Sequence, residues 1–81
     1  MKTEQTLITI NDYGRINLCL KELMDEKHIS RNALARAVNT RFEVINKWYN
    51  GNLDKLDLDI LARICCVLEC DASDIIKYVQ T

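Results

Sequence analysis

The residues best suited to metal or thiol chemistry in this sequence are four cysteines and one histidine: Cys19, Cys65, Cys66, Cys70 and His28. Zinc sites combine paired Cys-x-x-Cys or Cys/His ligands at fixed spacings, and these residues do not have such a spacing. No secretory signal peptide is visible, so we expect a cytoplasmic chain in a reducing compartment, where structural disulfides are rare. We therefore predict that the cysteines are small buried hydrophobic side chains, with no metal and no cofactor.

The sequence also contains no recognisable catalytic arrangement. His28 would have to be the base of any Ser/His/Asp triad, and no glycine-rich nucleophile turn or phosphate-binding loop accompanies it. We predict that His28 is a solvent-exposed turn residue. We further expect that the chain is not an enzyme and has no small-molecule substrate.

Charged residues are distributed unevenly along the chain. The net charge is −1, but residues 27–55 carry six basic and two acidic side chains, and the rest of the chain carries five basic and ten acidic ones. A basic segment flanked by acidic ones points to a local binding face. A chance fluctuation in a short chain would produce the same imbalance.

Size and composition restrict the fold. The 81 residues, 48% of them hydrophobic, suffice for one small domain with a marginal core, and no apolar run is long enough to cross a membrane. Proline is absent and glycine occurs twice, which favours an all-α fold. We predict an N-terminal arm over residues 1–14 and a helical domain over residues 15–81. Residues 3–10 are rich in β-branched types, and a strand there would pair with residues 78–80 or with a second chain.

Hydrophobic spacing and capping residues divide the domain into five predicted helices. The first covers about residues 15–27 and places Ile16 on an apolar stripe with Leu20. The fourth covers about residues 58–69, and a short fifth helix follows the acidic cap Asp71.

The second and third predicted helices are short and are joined by a tight turn. Ser30 is a favourable N-cap for the second helix, and Asn39 tolerates left-handed backbone geometry at its end. Ala35 leaves room for two helices to cross closely, while Ile45 and Trp48 supply the inner side of the third helix. This arrangement is typical of a helix-turn-helix.

Residues 16–79 resemble the Cro/C1-type helix-turn-helix regulators, the lambda-repressor-like domains of phages and bacteria. The segments that carry the resemblance are residues 29–39, 40–51 and 61–76. Asn39 and Arg41 depart from the family pattern, which usually has glycine in the turn and Ser or Thr as the cap of the third helix. We therefore expect Thr40 or Asn39 to cap the third helix, which would begin at Thr40 or Arg41. The resemblance implies a five-helix, lambda-repressor-like DNA-binding domain.

The resemblance further implies a repressor-like transcriptional regulator that binds a specific double-stranded DNA sequence, with a recognition helix over about residues 41–49 in the major groove. The side chains that would face the bases are Arg41, Phe42, Glu43, Asn46 and Lys47. Arg41 and Lys47 would donate to guanine or phosphate, and Asn46 would form a two-point contact with adenine. Glu43 would accept a hydrogen bond from the cytosine amino group, or would only be an acidic residue that the helix dipole favours in a first turn. Phe42 would contact a thymine methyl group, or be partly buried.

Phosphate contacts are expected from Ser30, Arg31 and Asn50. Because one such module buries little DNA surface, we expect a homodimer on two half-sites about 34 Å apart. The candidate dimer surfaces are residues 3–10 and 72–79.

The alternative is a protein interaction module of the same fold that acts on a partner regulator, with weak or no DNA binding. The acidic total charge and Glu43 within the predicted recognition helix favour this alternative. Salt dependence separates the two, because DNA affinity falls steeply with salt.

Overall fold

The computed structural model describes residues 12–80. Its elements in chain order are strand β1 (Arg15–Leu18), helices α1 (Leu20–Lys27), α2 (Arg31–Ala37), α3 (Phe42–Asn50) and α4 (Leu58–Leu68), a 3-10 turn (Ala72–Asp74) and strand β2 (Ile76–Val79). The helix-turn-helix is present, but the prediction of five helices in an all-α fold is corrected. The described residues form four α-helices and a two-stranded sheet. The strand predicted at residues 3–10 lies outside the described residues, as does most of the arm predicted at residues 1–14.

Helices α2, α3 and α4 begin or end where the sequence supplies capping residues. Ser30 Oγ accepts the backbone N–H of Ala33 at 3.1 Å before α2, and an Asp57 carboxylate oxygen accepts the N–H of Ile60 at 3.2 Å before α4. Gly51 ends α3 with a left-handed φ of 72°, which glycine adopts without steric cost. The predicted starts of the second helix after Ser30 and of the fourth at about residue 58 are confirmed.

The first helix begins later than predicted, at Leu20 instead of residue 15. Residues 15–18 form β1, which pairs antiparallel with β2 and places Ile16 opposite Tyr78. Ile16 is 57% exposed, so it does not belong to the inner stripe of the helix. The spacing of Ile16 and Leu20 fits a helix, but a strand partner at the far end of the chain overrides that local preference.

The predicted fifth helix is also corrected. Asp71 and Asp74 form the reciprocal capping box expected at a helix start, yet only one 3-10 turn follows before β2. The carbonyl oxygen of Ile75 accepts the N–H of Cys19 at 2.7 Å, which ties this segment to the start of α1. The β-branched residues that follow Asp74 favour the extended backbone that pairs with β1.

The hydrophobic core lies between the four helices and the segment before β2. Its fully buried side chains are Leu20, Met24, Leu34, Ile45, Trp48, Ile64, Leu68 and Ile75. Each α-helix contributes at least one of them, so the core fixes the orientation of α3 against the other helices. No helix within residues 12–80 combines the length and apolarity needed to span a bilayer.

The four cysteines are free thiols, and they are less buried than predicted. Cys19, Cys65 and Cys70 are half-buried and Cys66 is exposed. Burial raises the pKa of the Cys70 thiol to about 11, so this group is protonated at neutral pH and a poor nucleophile. His28 is exposed at the left-handed end of α1 (φ 58°), which confirms the predicted turn residue.

Candidate nucleic-acid interface

The turn between α2 and α3 sets the position of the candidate interface. Asn39 has a left-handed φ of 58°, and Thr40 N donates to the carbonyl oxygen of Ala35 at 2.9 Å. Ala35 is 3% exposed in the core, which agrees with the close helix crossing expected there. The N-cap of α3 is Arg41, whose side chain makes no capping hydrogen bond, so the prediction of Thr40 or Asn39 as the cap was wrong.

Arg63 of α4 forms hydrogen bonds to the backbone of this turn. Arg63 Nη1 donates to the carbonyl oxygens of Val38 at 3.0 Å and Asn39 at 3.4 Å, while its Nη2 lies 2.7 Å from Asp59 Oδ2. The guanidinium thus satisfies carbonyl groups at the end of α2 that have no partner within the helix. The i,i+4 spacing of Asp59 and Arg63 in the sequence indicates their ion pair. It does not indicate the hydrogen bonds from Arg63 to the carbonyl oxygens of Val38 and Asn39.

Asn39 provides a direct test of the turn geometry. Asn39→Gly should raise the free energy of unfolding by up to about 1 kcal/mol, because glycine has no side chain to strain a left-handed backbone. Asn39→Ala should lower it by about 1 kcal/mol for the opposite reason. Urea denaturation measures both variants, and shifts of equal sign would contradict this account.

One side of α3 is anchored in the core, and the opposite side faces solvent. Ile45 and Trp48 are buried. The residues predicted to contact bases are Arg41, Phe42, Glu43 and Lys47, which are exposed, and Asn46, which is half-buried. Apart from Asn46, these side chains on the outer side of α3 are therefore open to solvent among the described residues. Ion pairs among residues 12–80 join Lys21 to Asp25 and Arg63 to Asp59, so the charges of Arg41 and Lys47 are not neutralised by described neighbours.

Arg31, the first residue of α2, reaches across to α3. Its Nη1 donates to Asn46 Oδ1 at 2.7 Å. Its guanidinium carbon lies 4.7 Å from the centroid of the Tyr49 ring and 5.7 Å from that of Phe42. The structure thus brings together Arg31, predicted to contact phosphate, and two residues predicted to contact bases.

Tyr49 and Asp25 extend this cluster to α1, and sequence reasoning did not identify them as part of a candidate site. The Tyr49 hydroxyl donates to Asp25 Oδ1 at 2.9 Å, and Lys21 Nζ lies 3.2 Å from Asp25 Oδ2. The i,i+4 spacing of Lys21 and Asp25 is a sequence signal for their ion pair. Nothing in the sequence placed Tyr49 beside them.

The hydrogen bond between Tyr49 and Asp25 predicts a pH dependence of stability. This bond, and then that from Lys21, hold the pKa of Asp25 below its ordinary 3.8, and the bond raises the pKa of Tyr49 above 10.0. The lowered pKa of Asp25 contributes stability above pH 3.8, and this is lost as pH falls through the pKa that Asp25 has in the folded protein. The raised pKa of Tyr49 contributes stability below pH 10.0, and this is lost as pH rises through the pKa that Tyr49 has in the folded protein. The difference in Tm between the parent and Tyr49→Phe should therefore be greatest between these limits.

Tyr13→Phe is the matched control, because Tyr13 is 66% exposed and makes no hydrogen bond with its hydroxyl to residues 12–80. Melting curves across the pH range should show no pH-dependent difference for this variant. A Tyr49→Phe difference that is the same at every pH would contradict the assignment.

The predicted phosphate ligands lie at separate places on the surface. Ser30 and Arg31 flank the start of α2, and Asn50 is exposed at the end of α3. Ser30 Oγ accepts the N–H of Ala33, while its hydroxyl hydrogen can still be donated to a phosphate oxygen.

The sequence and the fold of this chain are similar to those of known proteins. A family model of the Cro/C1-type HTH DNA-binding domain matches residues 19–81. A candidate DNA-binding protein from Bacteroides fragilis has a similar structure, with a TM-score of 0.69 and 21% identity over 78% of this chain and 100% of that one. The transcriptional regulator VanUg gives a TM-score of 0.68 and 22% identity over 93% of this chain and 99% of its own. Among curated protein sequences, none matches this chain significantly.

Proposed function

The chain belongs to the Cro/C1-type helix-turn-helix DNA-binding domain family, and we propose that it is a transcriptional regulator that binds a specific double-stranded DNA sequence. Family membership confirms the resemblance seen in the sequence and the prediction that the chain is not an enzyme. The observation that carries the proposal is the exposed outer side of α3, held in place by the buried side chains of Ile45 and Trp48.

In the proposed complex α3 lies in the major groove, which is wide enough to admit an α-helix. Arg41 and Lys47 donate to guanine or phosphate, Glu43 accepts from a cytosine amino group, and Phe42, 37% exposed, contacts a thymine methyl group. Asn46 contacts a base edge from the middle of the helix.

Phosphates on either side of the groove are proposed to contact Ser30, Arg31 and Asn50. The overall charge of −1 is compatible with this, because charges farther away than a Debye length of about 8 Å are largely screened at physiological salt. Negative charge elsewhere weakens non-specific attraction and helps to orient the approach to DNA.

We propose a repressor-like action in the cytoplasm, in which the bound protein occupies its site and excludes other proteins from it. Tight occupancy requires a homodimer on two half-sites about 34 Å apart. The exposed apolar side chains of β1 and β2 support the sheet as the dimer surface, since Ile16 and Tyr78 lie opposite each other and are 57% and 56% exposed.

Ile16→Glu tests this dimer surface. A charge on the exposed apolar pair should halve the particle mass in light scattering, because an unpaired charge in an interface is strongly unfavourable, while the helices stay folded by circular dichroism. Leu58→Glu is the matched control, since Leu58 is an apolar residue of α4 that is 71% exposed. A parent chain that is monomeric, or equal masses for Ile16→Glu and the parent, would remove the sheet from the interface.

Selection of bound duplexes from a random pool tests the proposed function. The parent should enrich one sequence, and its affinity for that sequence should fall with salt with a slope of about −0.9 for each phosphate neutralised. Failure to enrich any sequence at low salt would refute sequence-specific DNA binding.

The alternative function is a protein interaction module that acts on a partner regulator. Glu43, exposed at the start of α3, and an apolar groove lined by Ile16, Leu18, Leu53 and Leu56 favour it. Absent or salt-insensitive binding of duplex DNA by the parent would support this alternative.

A further inference from the structure

The contact between Arg31 and Asn46 fixes the orientation of the Asn46 carboxamide. An arginine side chain has five N–H donors and no acceptor, so only the oxygen of Asn46 can face it. The bond from Arg31 Nη1 to Asn46 Oδ1 is short, at 2.7 Å, as expected when the donor is charged. One lone pair of the carbonyl oxygen is thus engaged within the protein, and the amide NH2 group is left to donate elsewhere.

Arg31 is itself held in place by its neighbours on α3 and α1. Its guanidinium carbon is 4.7 Å from the Tyr49 ring centroid, within the range of a cation–π contact. The Tyr49 hydroxyl is in turn tied to Asp25 at 2.9 Å. Arg31 is therefore positioned at the base-contacting surface before any DNA arrives.

This arrangement changes which base Asn46 suits. A two-point contact with adenine needs the Asn46 oxygen to accept from the adenine N6 amino group while its NH2 group donates to N7. The second lone pair of that oxygen can accept from the adenine amino group, but this amino donor would then lie beside the Arg31 guanidinium, which is a cation and itself a donor. Guanine presents two acceptors, O6 and N7, on the same edge, and these match the donors that Arg31 and Asn46 offer together.

Building on the proposed DNA-binding function, we propose that Arg31 is a positioning and specificity-determining residue, whose hydrogen bond to Asn46 Oδ1 makes the pair select guanine. Asn46 without this partner selects adenine. Arg31 thus belongs to base recognition and is more than a phosphate ligand.

The experiment is selection of bound duplexes from a random pool, performed with the parent and with four variants. Asn46→Ala identifies the base pair in question as the position whose preference disappears. The parent should prefer guanine there, and Arg31→Met should shift the ratio of guanine to adenine by on the order of tenfold towards adenine. Arg31→Lys, which keeps a charged donor, should retain part of the guanine preference.

Arg36→Met is the matched control, because Arg36 is an exposed arginine of the same helix with no side-chain hydrogen bond to residues 12–80. It should select the same sequence as the parent. Circular dichroism establishes that each variant is folded, and Arg31→Ala replaces Arg31→Met if the latter unfolds.

The outcomes separate the inference from the proposed function. A parent that enriches a sequence with adenine at this position, or a preference unchanged by Arg31→Met, overturns the inference and leaves DNA binding intact. Enrichment by the parent with no position affected by Asn46→Ala also overturns the inference alone. A parent that enriches no sequence refutes the proposed function and the inference together.

Discussion

Replacing Trp48 with alanine is expected to lower the free energy of unfolding by about 3–5 kcal/mol. Trp48 is 1% exposed and packs in the core from the inner side of α3, so truncation leaves a void that neighbouring side chains fill only in part. Small domains have total stabilities of about 5–15 kcal/mol, and the loss is therefore a large share of the whole. Urea denaturation followed by circular dichroism measures it.

Leu58→Ala is the control for this substitution, because Leu58 is 71% exposed and its truncation should change stability by less than about 0.5 kcal/mol. If Trp48→Ala unfolded at the same urea concentration as Leu58→Ala, α3 would not be anchored by Trp48. The outer side of α3 would then lack the support on which the proposed DNA complex depends.

The central part of the fold follows from local sequence signals. Ser30 accepts a backbone N–H at the start of α2, Asn39 takes the left-handed geometry of the turn, and Gly51 ends α3. Each of these depends on the conformational preference of one residue type and on neighbours within four positions. Such features are predictable from sequence because no distant partner is needed to define them.

An extended segment was expected at residues 78–80, close to β2, but the strand β1 that pairs with it was missed because this pairing is not local. Residues 15–18 carry an apolar residue four places before Leu20, which is equally compatible with a helix. Only the pairing of Arg15 with Val79 and of Leu18 with Ile76 makes this segment extended. Four-residue strands are too short for an alternating pattern to distinguish them from a helical turn.

The candidate site shows the same division between local and distant information. The exposed positions of α3 follow from helical periodicity once Ile45 and Trp48 are assigned to the core. The hydrogen bonds from Arg31 to Asn46 and from Tyr49 to Asp25 depend on the angles between α1, α2 and α3. Those angles are set by packing of the whole core, which one sequence does not reveal.

Lys47→Ala is expected to weaken binding to the selected DNA sequence by about 1–3 kcal/mol while leaving thermal stability almost unchanged. Lys47 is exposed on the outer side of α3 and alanine is a strong helix former, so neither the core nor the helix is disturbed. A mobility-shift titration and a melting curve on the same sample measure the two quantities. Arg36→Ala on α2 is the control and should affect neither one appreciably. Parent-like affinity of Lys47→Ala at physiological salt would remove Lys47 from the interface, and loss of thermal stability would assign it a structural role instead.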